Sequence, residues 1–248
     1  MKKLVVAALA VALSCTAGCG SDDSARSKET LTVFAAASLT GPFTELGKEF
    51  EADHAGVTVR FSFGGSSDLV AQVQGGAPAD VLASADTTTM DELGDAATDP
   101  QDFASNTLEI AVPPDNPAGI ASLSDLTKPG VKVVLCAPEV PCGAAAQKVA
   151  VSAHLTLKPV SEEQSVTDVL GKVESGEADA GLVYVTDVKG AGDKVTGVPF
   201  PESASAVNVY PIAPLTDAKH RLLASEFVEL VLGGRGQQVL AAAGFASP

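Results

Sequence analysis

Residues 31–42, LTVFAAASLTGP, begin with an apolar run that ends at Ser38. Such a short run, bounded by polar residues, is typical of a buried strand. Directly after it, Thr40 can cap a helix, and Pro42 suits a first helical turn, where a missing N–H costs nothing. The stretch therefore predicts a strand, a short loop that contains Ser38, and a helix.

The alternation of strands and helices continues over the following residues. The predicted elements are a helix to about residue 53, a strand over 57–63, a helix over 68–74 and a strand over 79–84. Glycine pairs at 64–65 and 75–76 separate them. This βαβαβ order predicts a mainly parallel sheet with helices on its faces, where ligands bind beyond the carboxyl ends of the strands.

The same pattern restarts further along the chain. After a strand over 107–112, the proline-rich turn at 113–117 is the predicted point where the chain leaves the first lobe. The next predicted elements are a strand over 131–137, helices over 143–154 and 166–175, and a strand over 180–185. A strand over 207–212 is expected to return to the first lobe. The chain is then expected to end in helices over 221–232 and 236–243.

The predicted fold class is α/β with two lobes, each a mainly parallel sheet flanked by helices, around a ligand cleft. Lobe 1 is assigned residues 31–106 and 210–248, and lobe 2 residues 107–209. Two crossings between the lobes would form a hinge, as expected of a clamp that closes on its ligand. The content of 46% hydrophobic and 19% charged residues is normal for a globular α/β protein.

The N-terminal residues predict export from the cytoplasm. Lys2 and Lys3 precede an apolar run over 4–13, which is too short to span a membrane and has the form of a secretory signal. We therefore expect an extracytoplasmic protein.

The end of this leader resembles a lipobox, because small residues precede the cysteine in Thr16-Ala17-Gly18-Cys19. Residues 1–18 are interpreted as a lipoprotein signal peptide, and Cys19 as the lipidated mature N-terminus. The alternative is ordinary secretion with cleavage near Ala17. Residues 19–30 contain almost nothing to bury and are predicted to form a flexible tether, so we expect anchoring to the cell membrane through the lipid.

The charge of the chain excludes some partners. The formal net charge is −15, and it becomes −17 once Lys2 and Lys3 leave with the leader. Such an excess of carboxylates argues against nucleic acid or an anionic membrane surface as a partner. It also slows the approach of an anionic ligand, so an anion site requires local hydrogen-bond donors.

Two cysteines, Cys136 and Cys142, remain once the leader is removed and Cys19 is lipidated. In an oxidising compartment this pair is predicted to form a disulfide. Two buried thiols are the alternative. No His or further Cys accompanies the pair, which argues against a metal site, and no cofactor is predicted.

Four loop-to-helix junctions are candidate anion contacts: Ser38, Ser66, the turn at 141–143 and the Ser165–Val166 pair. A helix N-terminus carries about half a positive charge and several free N–H donors, so it binds oxyanions without Lys or Arg. Ser38 and Ser66 add hydroxyl donors. Taken singly, each junction fits an ordinary capped helix equally well.

Several motifs together carry a family resemblance. They are TVFAAASLT at 32–40, GAPADVL at 76–82, SAD at 84–86, GLVY at 181–184, GQQ at 236–238 and AGF at 243–245. On these motifs the chain resembles, over residues 31–245, the periplasmic molybdate-binding proteins of ATP-driven importers, within the type II solute-binding superfamily.

The resemblance implies a set of site residues. The anion would be held by the hydroxyls of Ser38 and Ser66, the backbone N–H groups of Cys142 and Val166, and the phenol of Tyr184. These are oxyanion contacts, with no direct ligation of the metal. The implied ligand is molybdate or tungstate, and the implied partner is the membrane permease of an ABC transporter, served by a monomeric binding protein.

Two departures from the family pattern bear on the ligand. Cys142 replaces a small aliphatic residue, which leaves backbone donation intact, and the disulfide would stiffen the anion loop. Asp68 replaces a neutral residue. If it pointed inward it would favour phosphate, which keeps a proton near neutral pH. The alternative is that Asp68 faces solvent in the first helical turn.

Two other functions are alternatives to this one. The first is binding of another oxyanion, sulfate or phosphate, on the same scaffold. The second is a secreted serine hydrolase using Ser38 or Ser66. However, residues 64–67 do not form the G-x-S-x-G elbow, and no His is placed by a recognisable motif to act as a base. We therefore expect no enzymatic activity.

Overall fold

A computed structural model describes residues 28–248. The predicted signal peptide, the lipidation of Cys19 and residues 19–27 of the predicted tether lie outside the described residues. The tether was assigned up to residue 30, but Glu29 and Thr30 already belong to the first strand. Within 28–248, no helix has the length and apolar character needed to cross a membrane.

The described chain contains ten strands and eight α-helices. The strands are β1 (Glu29–Ala36), β2 (Val57–Gly64), β3 (Val81–Ala83), β4 (Gln101–Asn106), β5 (Leu108–Val112), β6 (Val133–Cys136), β7 (Ser161–Glu163), β8 (Ala180–Tyr184), β9 (Thr196–Val198) and β10 (Asn208–Pro214). The helices are α1 (Thr40–Asp53), α2 (Ser66–Gln74), α3 (Thr87–Asp91), α4 (Pro141–Ser152), α5 (Val166–Glu174), α6 (Val185–Ala191), α7 (Arg221–Leu232) and α8 (Gly234–Ala243).

The strands form two five-stranded sheets with the same plan. The first has the order β2-β1-β3-β10-β4, and the second the order β7-β6-β8-β5-β9. In the first sheet β1 is parallel to β2 and β3, whereas β10 is antiparallel to β3 and β4. In the second sheet β6 is parallel to β7 and β8, whereas β5 is antiparallel to β8 and β9. The predicted α/β class is confirmed, with both sheets mixed.

In each sheet, the strand that runs antiparallel to both of its neighbours is the first strand formed after the chain crosses from the other sheet. β5 follows β4 directly, and β10 follows β9, whereas parallel neighbours require a crossover, usually a helix. The expected exit at the turn 113–117 is wrong, and the chain leaves the first sheet at the boundary assigned between residues 106 and 107. It crosses at Thr107, because β5 already pairs with β8 before that turn. The proline-rich turn ends a strand but does not decide which sheet the strand joins.

Each sheet has its own hydrophobic core. The first core is rich in aromatic residues, and Phe43 and Phe50 of α1, with Phe227 of α7, are buried in it. The second core consists largely of Val, Leu, Ile and Ala side chains. We call the first sheet with its helices lobe 1 and the second lobe 2. Apart from Ala37 of lobe 1, which belongs to the second core, the cores are separate, so each lobe has the internal packing that rigid-body hinge motion requires.

Candidate functional site

A small cavity lies between the lobes, beside the carboxyl ends of β1 and β2. Its volume is about 20 Å³, far below the roughly 300–1,000 Å³ of pockets that hold drug-sized ligands. Lobe 1 contributes Ala36, Ala37, Gly64, Gly65, Ser66 and Ala85. Lobe 2 contributes Val140, Pro141, Cys142, Ser165, Val166 and Tyr184. None of these lining side chains carries a charge, so a ligand here is held by neutral groups.

Three helices begin at the wall of this cavity. They are α2 at Ser66, α4 at Pro141 and α5 at Val166. The first-turn N–H groups of a helix have no intrahelical partner, and the helix dipole places positive potential there. Pro141 has no N–H, so Cys142 carries the first free donor of α4. Three such ends around one small space form a site suited to an oxyanion.

The lobes touch each other around the cavity. The Ser67 hydroxyl of lobe 1 donates to the Glu139 carbonyl of lobe 2 over 2.7 Å. The backbone of Gly65 lies so close to lobe 2 that a Cβ there would be 2.1 Å from the Gln164 carbonyl oxygen. The structure is therefore the closed arrangement, and Gly65 permits the approach because it lacks a side chain.

Ser66 is oriented as a hydrogen-bond donor toward the cavity. Its side chain is buried, and its Oγ accepts the backbone N–H of Ala85 over 3.0 Å. With that lone pair occupied, the hydroxyl proton is free for an acceptor in the cavity. Asp68, two residues further along α2, is exposed and does not line the cavity. The interpretation that Asp68 faces solvent is thus confirmed.

Tyr184 presents an unsatisfied hydroxyl at the end of β8. The side chain is 1% exposed, and its Oη has no hydrogen-bond partner among the described residues. Leaving a buried hydroxyl unpaired costs about 1–3 kcal/mol, so its place in the cavity wall indicates a ligand acceptor. Burial raises the pKa of the Tyr184 phenol well above its usual range, so it stays protonated and can donate.

Ser38 occupies a different position from the other four predicted residues. It lies in the 3-10 turn Ala37–Leu39 that follows β1, next to the lining residue Ala37, but is not itself in the cavity wall. Its Oγ lies 3.0 Å from the hydroxyl of Tyr210 on β10. The structure therefore brings Ser66, Cys142, Val166 and Tyr184 around one cavity and places Ser38 one residue outside its wall.

Tyr210 did not emerge from the sequence as a site residue. It lies in a predicted strand and is one of only two tyrosines in the chain. The small number of tyrosines is the one feature of the sequence that points to Tyr210, because the other tyrosine, Tyr184, is a predicted site residue. The second group that the sequence did not single out is Asp187 in the first turn of α6. It is buried, and its Oδ2 accepts the backbone N–H of Tyr184 over 2.9 Å.

Asp187 lines a wider groove between the lobes, together with Ser38, Thr186 and Lys189. Burial raises the pKa of Asp187 from 3.8 to about 7, and the hydrogen bond from Tyr184 acts in the opposite direction. A carboxyl that changes charge near neutral pH therefore lies next to the backbone of a cavity residue.

Cys136 and Cys142 are joined by a disulfide, with their Cα atoms 5.7 Å apart. The bond connects the end of β6 to the first turn of α4. It closes a loop that includes Val140 and Pro141, both of which line the cavity. One wall of the cavity is thus covalently fixed to the central part of the lobe 2 sheet.

The chain is similar to known binding proteins over nearly its whole length. The family model described as bacterial extracellular solute-binding protein matches residues 31–246. The molybdate-binding protein ModA of Mycobacterium tuberculosis is 48% identical over 240 residues, covering 93% of this chain and 92% of that protein. A putative ABC transporter substrate-binding lipoprotein of Bacillus subtilis, YvgL, is 33% identical, covering 98% of this chain and 96% of that protein.

A solved structure supports the same assignment at the level of the fold. The periplasmic molybdate-binding protein of Azotobacter vinelandii superposes with a TM-score of 0.77 at 23% identity. The match covers 88% of this chain and 99% of that one. With the fold, the interlobe cavity and the family match in agreement, the chain belongs to the bacterial extracellular solute-binding proteins.

Proposed function

We propose that this protein is the extracytoplasmic substrate-binding component of an ABC importer and that it binds molybdate, and tungstate almost equally. The observation that carries the proposal is the closed, uncharged cavity at three helix N-termini, into which Tyr184 presents an unpaired buried hydroxyl. The names of its relatives, above all the 48% identical ModA, support the choice of molybdate.

The proposed contacts are five neutral donors. Ser66 and Tyr184 contribute hydroxyl protons, and Cys142 and Val166 contribute backbone N–H groups. Ser38 is the fifth, and reaches the anion from the edge of the wall. Each hydrogen bond to a charged partner contributes about 1.5–3 kcal/mol. Several such bonds offset the loss of the hydration shell, and they explain how a chain of strongly negative charge retains a dianion.

The chemistry of the wall favours a fully ionised oxyanion. Molybdate, tungstate and sulfate offer only acceptors near neutral pH, whereas hydrogenphosphate also carries a proton that needs an acceptor. No carboxylate lines the cavity, and Asp68 is turned away from it. Phosphate is therefore the least favoured of these ligands. Sulfate has the right charge but is smaller, so it would fill the cavity less completely.

We also propose a binding role without catalysis. A serine nucleophile requires a base within hydrogen-bond reach. The cavity wall contains no His, Lys or carboxylate, and the Ser66 oxygen accepts a backbone N–H. The proposed form of the protein is a monomer without a cofactor. It is held to the cell membrane through lipidated Cys19 and delivers its anion to a membrane permease.

A ligand panel tests this proposal. Thermal unfolding is recorded with molybdate, tungstate, sulfate, phosphate and chromate at equal ionic strength, because a ligand that binds only the native state raises its apparent stability. We expect large shifts with molybdate and tungstate, a small one with sulfate and none with phosphate. A larger shift with phosphate than with molybdate would overturn the proposed ligand.

A further inference from the structure

The hydroxyl pair formed by Ser38 and Tyr210 has a preferred direction. The two oxygens are 3.0 Å apart, and either could donate on geometry alone. A phenol is the stronger acid of the two hydroxyl types, so the favoured arrangement has Tyr210 donating and Ser38 accepting. Burial raises the pKa of the Tyr210 phenol well above its usual range, so Tyr210 keeps its proton and can donate it.

The Tyr210 ring is held firmly enough to fix this direction. It is fully buried and packs edge-on against three rings, with centroid distances of 6.2 Å to Phe103, 6.0 Å to Tyr184 and 5.3 Å to Phe245. Its strand, β10, is hydrogen-bonded on both sides, to β3 and to β4. The phenol oxygen therefore has little freedom to turn away from Ser38.

Ser66 shows the same arrangement with a different donor. Its oxygen accepts the backbone N–H of Ala85, which leaves the hydroxyl proton for the cavity. If Tyr210 occupies the Ser38 oxygen in the same way, both serine protons are available to an anion. Without the Tyr210 hydroxyl, the Ser38 hydroxyl would be free to rotate and to donate its hydrogen bond to another acceptor.

We propose that Tyr210 is a positioning residue for oxyanion binding: its hydroxyl donates to Ser38 and thereby directs the Ser38 proton toward the anion. The inference rests on the proposed function, in which Ser38 contacts the anion. It assigns to Tyr210 an effect on affinity without any contact between Tyr210 and the ligand. In a series of linked hydrogen bonds such as Tyr210–Ser38–anion, each bond also polarises the next.

A double-mutant cycle tests the role. Molybdate affinity is measured by calorimetry for the wild type, Ser38→Ala, Tyr210→Phe and the double variant. Tyr210→Phe keeps the ring and its packing and removes only the hydroxyl. We expect a loss of tenfold or more for Ser38→Ala and of roughly three- to tenfold for Tyr210→Phe. We expect almost no additional loss in the double variant, because the two residues act as one unit.

Ser66→Ala provides the matched control background. The Ser66 oxygen accepts from Ala85 instead of Tyr210, so Tyr210→Phe should keep its full effect there. Equal losses from Tyr210→Phe with and without Ser38 would overturn the positioning role, as would an unchanged affinity of Tyr210→Phe beside a weakened Ser38→Ala. If Ser38→Ala alone binds molybdate normally, the Ser38 contact in the proposed function fails, and the role of Tyr210 fails with it.

Discussion

The ring of Tyr184 in lobe 2 packs edge-on against the ring of Tyr210 in lobe 1, with their centroids 6.0 Å apart. The two tyrosines of the chain thus meet across the lobe boundary. Their hydroxyls differ, because that of Tyr210 is paired with Ser38, whereas that of Tyr184 has no partner within residues 28–248. Removing the two hydroxyls should therefore have different consequences.

Tyr184→Phe should weaken molybdate binding at least tenfold, because a charge-assisted hydrogen bond is lost. The same change should leave the unliganded protein equally stable or slightly more stable, since it removes a buried hydroxyl that has no partner. Calorimetry measures the first effect and thermal unfolding without ligand the second. Unchanged affinity would contradict the assignment of Tyr184 to the site.

Ser66→Ala should also weaken molybdate binding tenfold or more. Unlike Tyr184→Phe, it should lower the stability of the unliganded protein by about 1 kcal/mol, because the buried N–H of Ala85 loses its acceptor. Ser205→Ala removes an exposed hydroxyl outside the cavity that donates to the Glu202 carbonyl, so it is the control for affinity and should leave molybdate binding unchanged. Equal affinities for Ser66→Ala and Ser205→Ala would remove Ser66 from the site.

Gly65→Ala should block closure of the lobes. A Cβ at Gly65 would be 2.1 Å from the Gln164 oxygen across the boundary, although φ −62° and ψ 135° suit alanine. We therefore expect a folded protein of normal melting temperature without ligand that binds molybdate very weakly. Small-angle X-ray scattering should show no compaction when molybdate is added.

Gly171→Ala is the control for this variant. A Cβ there meets no atom within 4 Å, and alanine stabilises a helix interior by roughly 0.5–1 kcal/mol relative to glycine. It should bind molybdate and compact as the wild type does. Normal binding by Gly65→Ala would show that the bound state is more open than this structure.

Replacing both Cys136 and Cys142 by serine should lower the stability of lobe 2 by about 2–3 kcal/mol, the expected effect of opening a short loop. The backbone N–H of Cys142 remains, so molybdate should still bind, but more weakly, because the cavity loop must be ordered at the time of binding. Urea unfolding and calorimetry measure the two effects. An unchanged affinity would mean that packing alone holds the loop.

The raised pKa of Asp187 predicts that the stability of the protein depends on pH. Its pKa is raised from 3.8 to about 7 in the folded protein. The folded state therefore binds this proton more tightly than the unfolded chain. The stabilising contribution is complete below pH 4 and is lost as the pH rises through 7. The Asp187→Asn variant lacks this loss, so its melting temperature should rise relative to that of the wild type between pH 5 and pH 8.

Asp193→Asn, at an exposed carboxyl on the adjoining turn, is the control and should show no such trend. The charged groups along the groove that Asp187 lines are Glu45, Glu174, Lys189 and Lys194, and Lys194 is paired with Glu174. A parallel pH profile for Asp187→Asn and the wild type would show that Asp187 is already ionised well below pH 7.

The parts of the fold that could be predicted are those with strong local patterns. The first helix was expected to end near residue 53, and α1 ends at Asp53, while α7 spans Arg221–Leu232 as expected. The strands that were missed, β4, β7 and β9, all lie at sheet edges. β7 and β9 are short and partly exposed, as the sequence of β7, Ser-Glu-Glu, illustrates. β4 is buried over its last four residues, but its sequence, Gln-Asp-Phe-Ala-Ser-Asn, contains no apolar run.

The candidate site also contains residues that local sequence patterns predict and a contact that they do not. Ser66, Cys142 and Val166 follow strand-to-helix junctions that local sequence marks, and the structure gathers them around one cavity. The partner of Ser38 could not be predicted, because Tyr210 is 172 residues away along the chain. That contact depends on β10 joining the first sheet as a reversed strand, and strand direction is decided by the whole topology.

The distribution of donors over two bodies has a consequence for release of the ligand. Ser66 belongs to one lobe, and Cys142, Val166 and Tyr184 belong to the other. Moving the lobes apart divides this set and admits water, which competes for the anion with each half. With no charged side chain in the wall, no proton or counterion has to be exchanged at that moment. Unloading such a site is a mechanical event, and its rate should depend little on salt concentration.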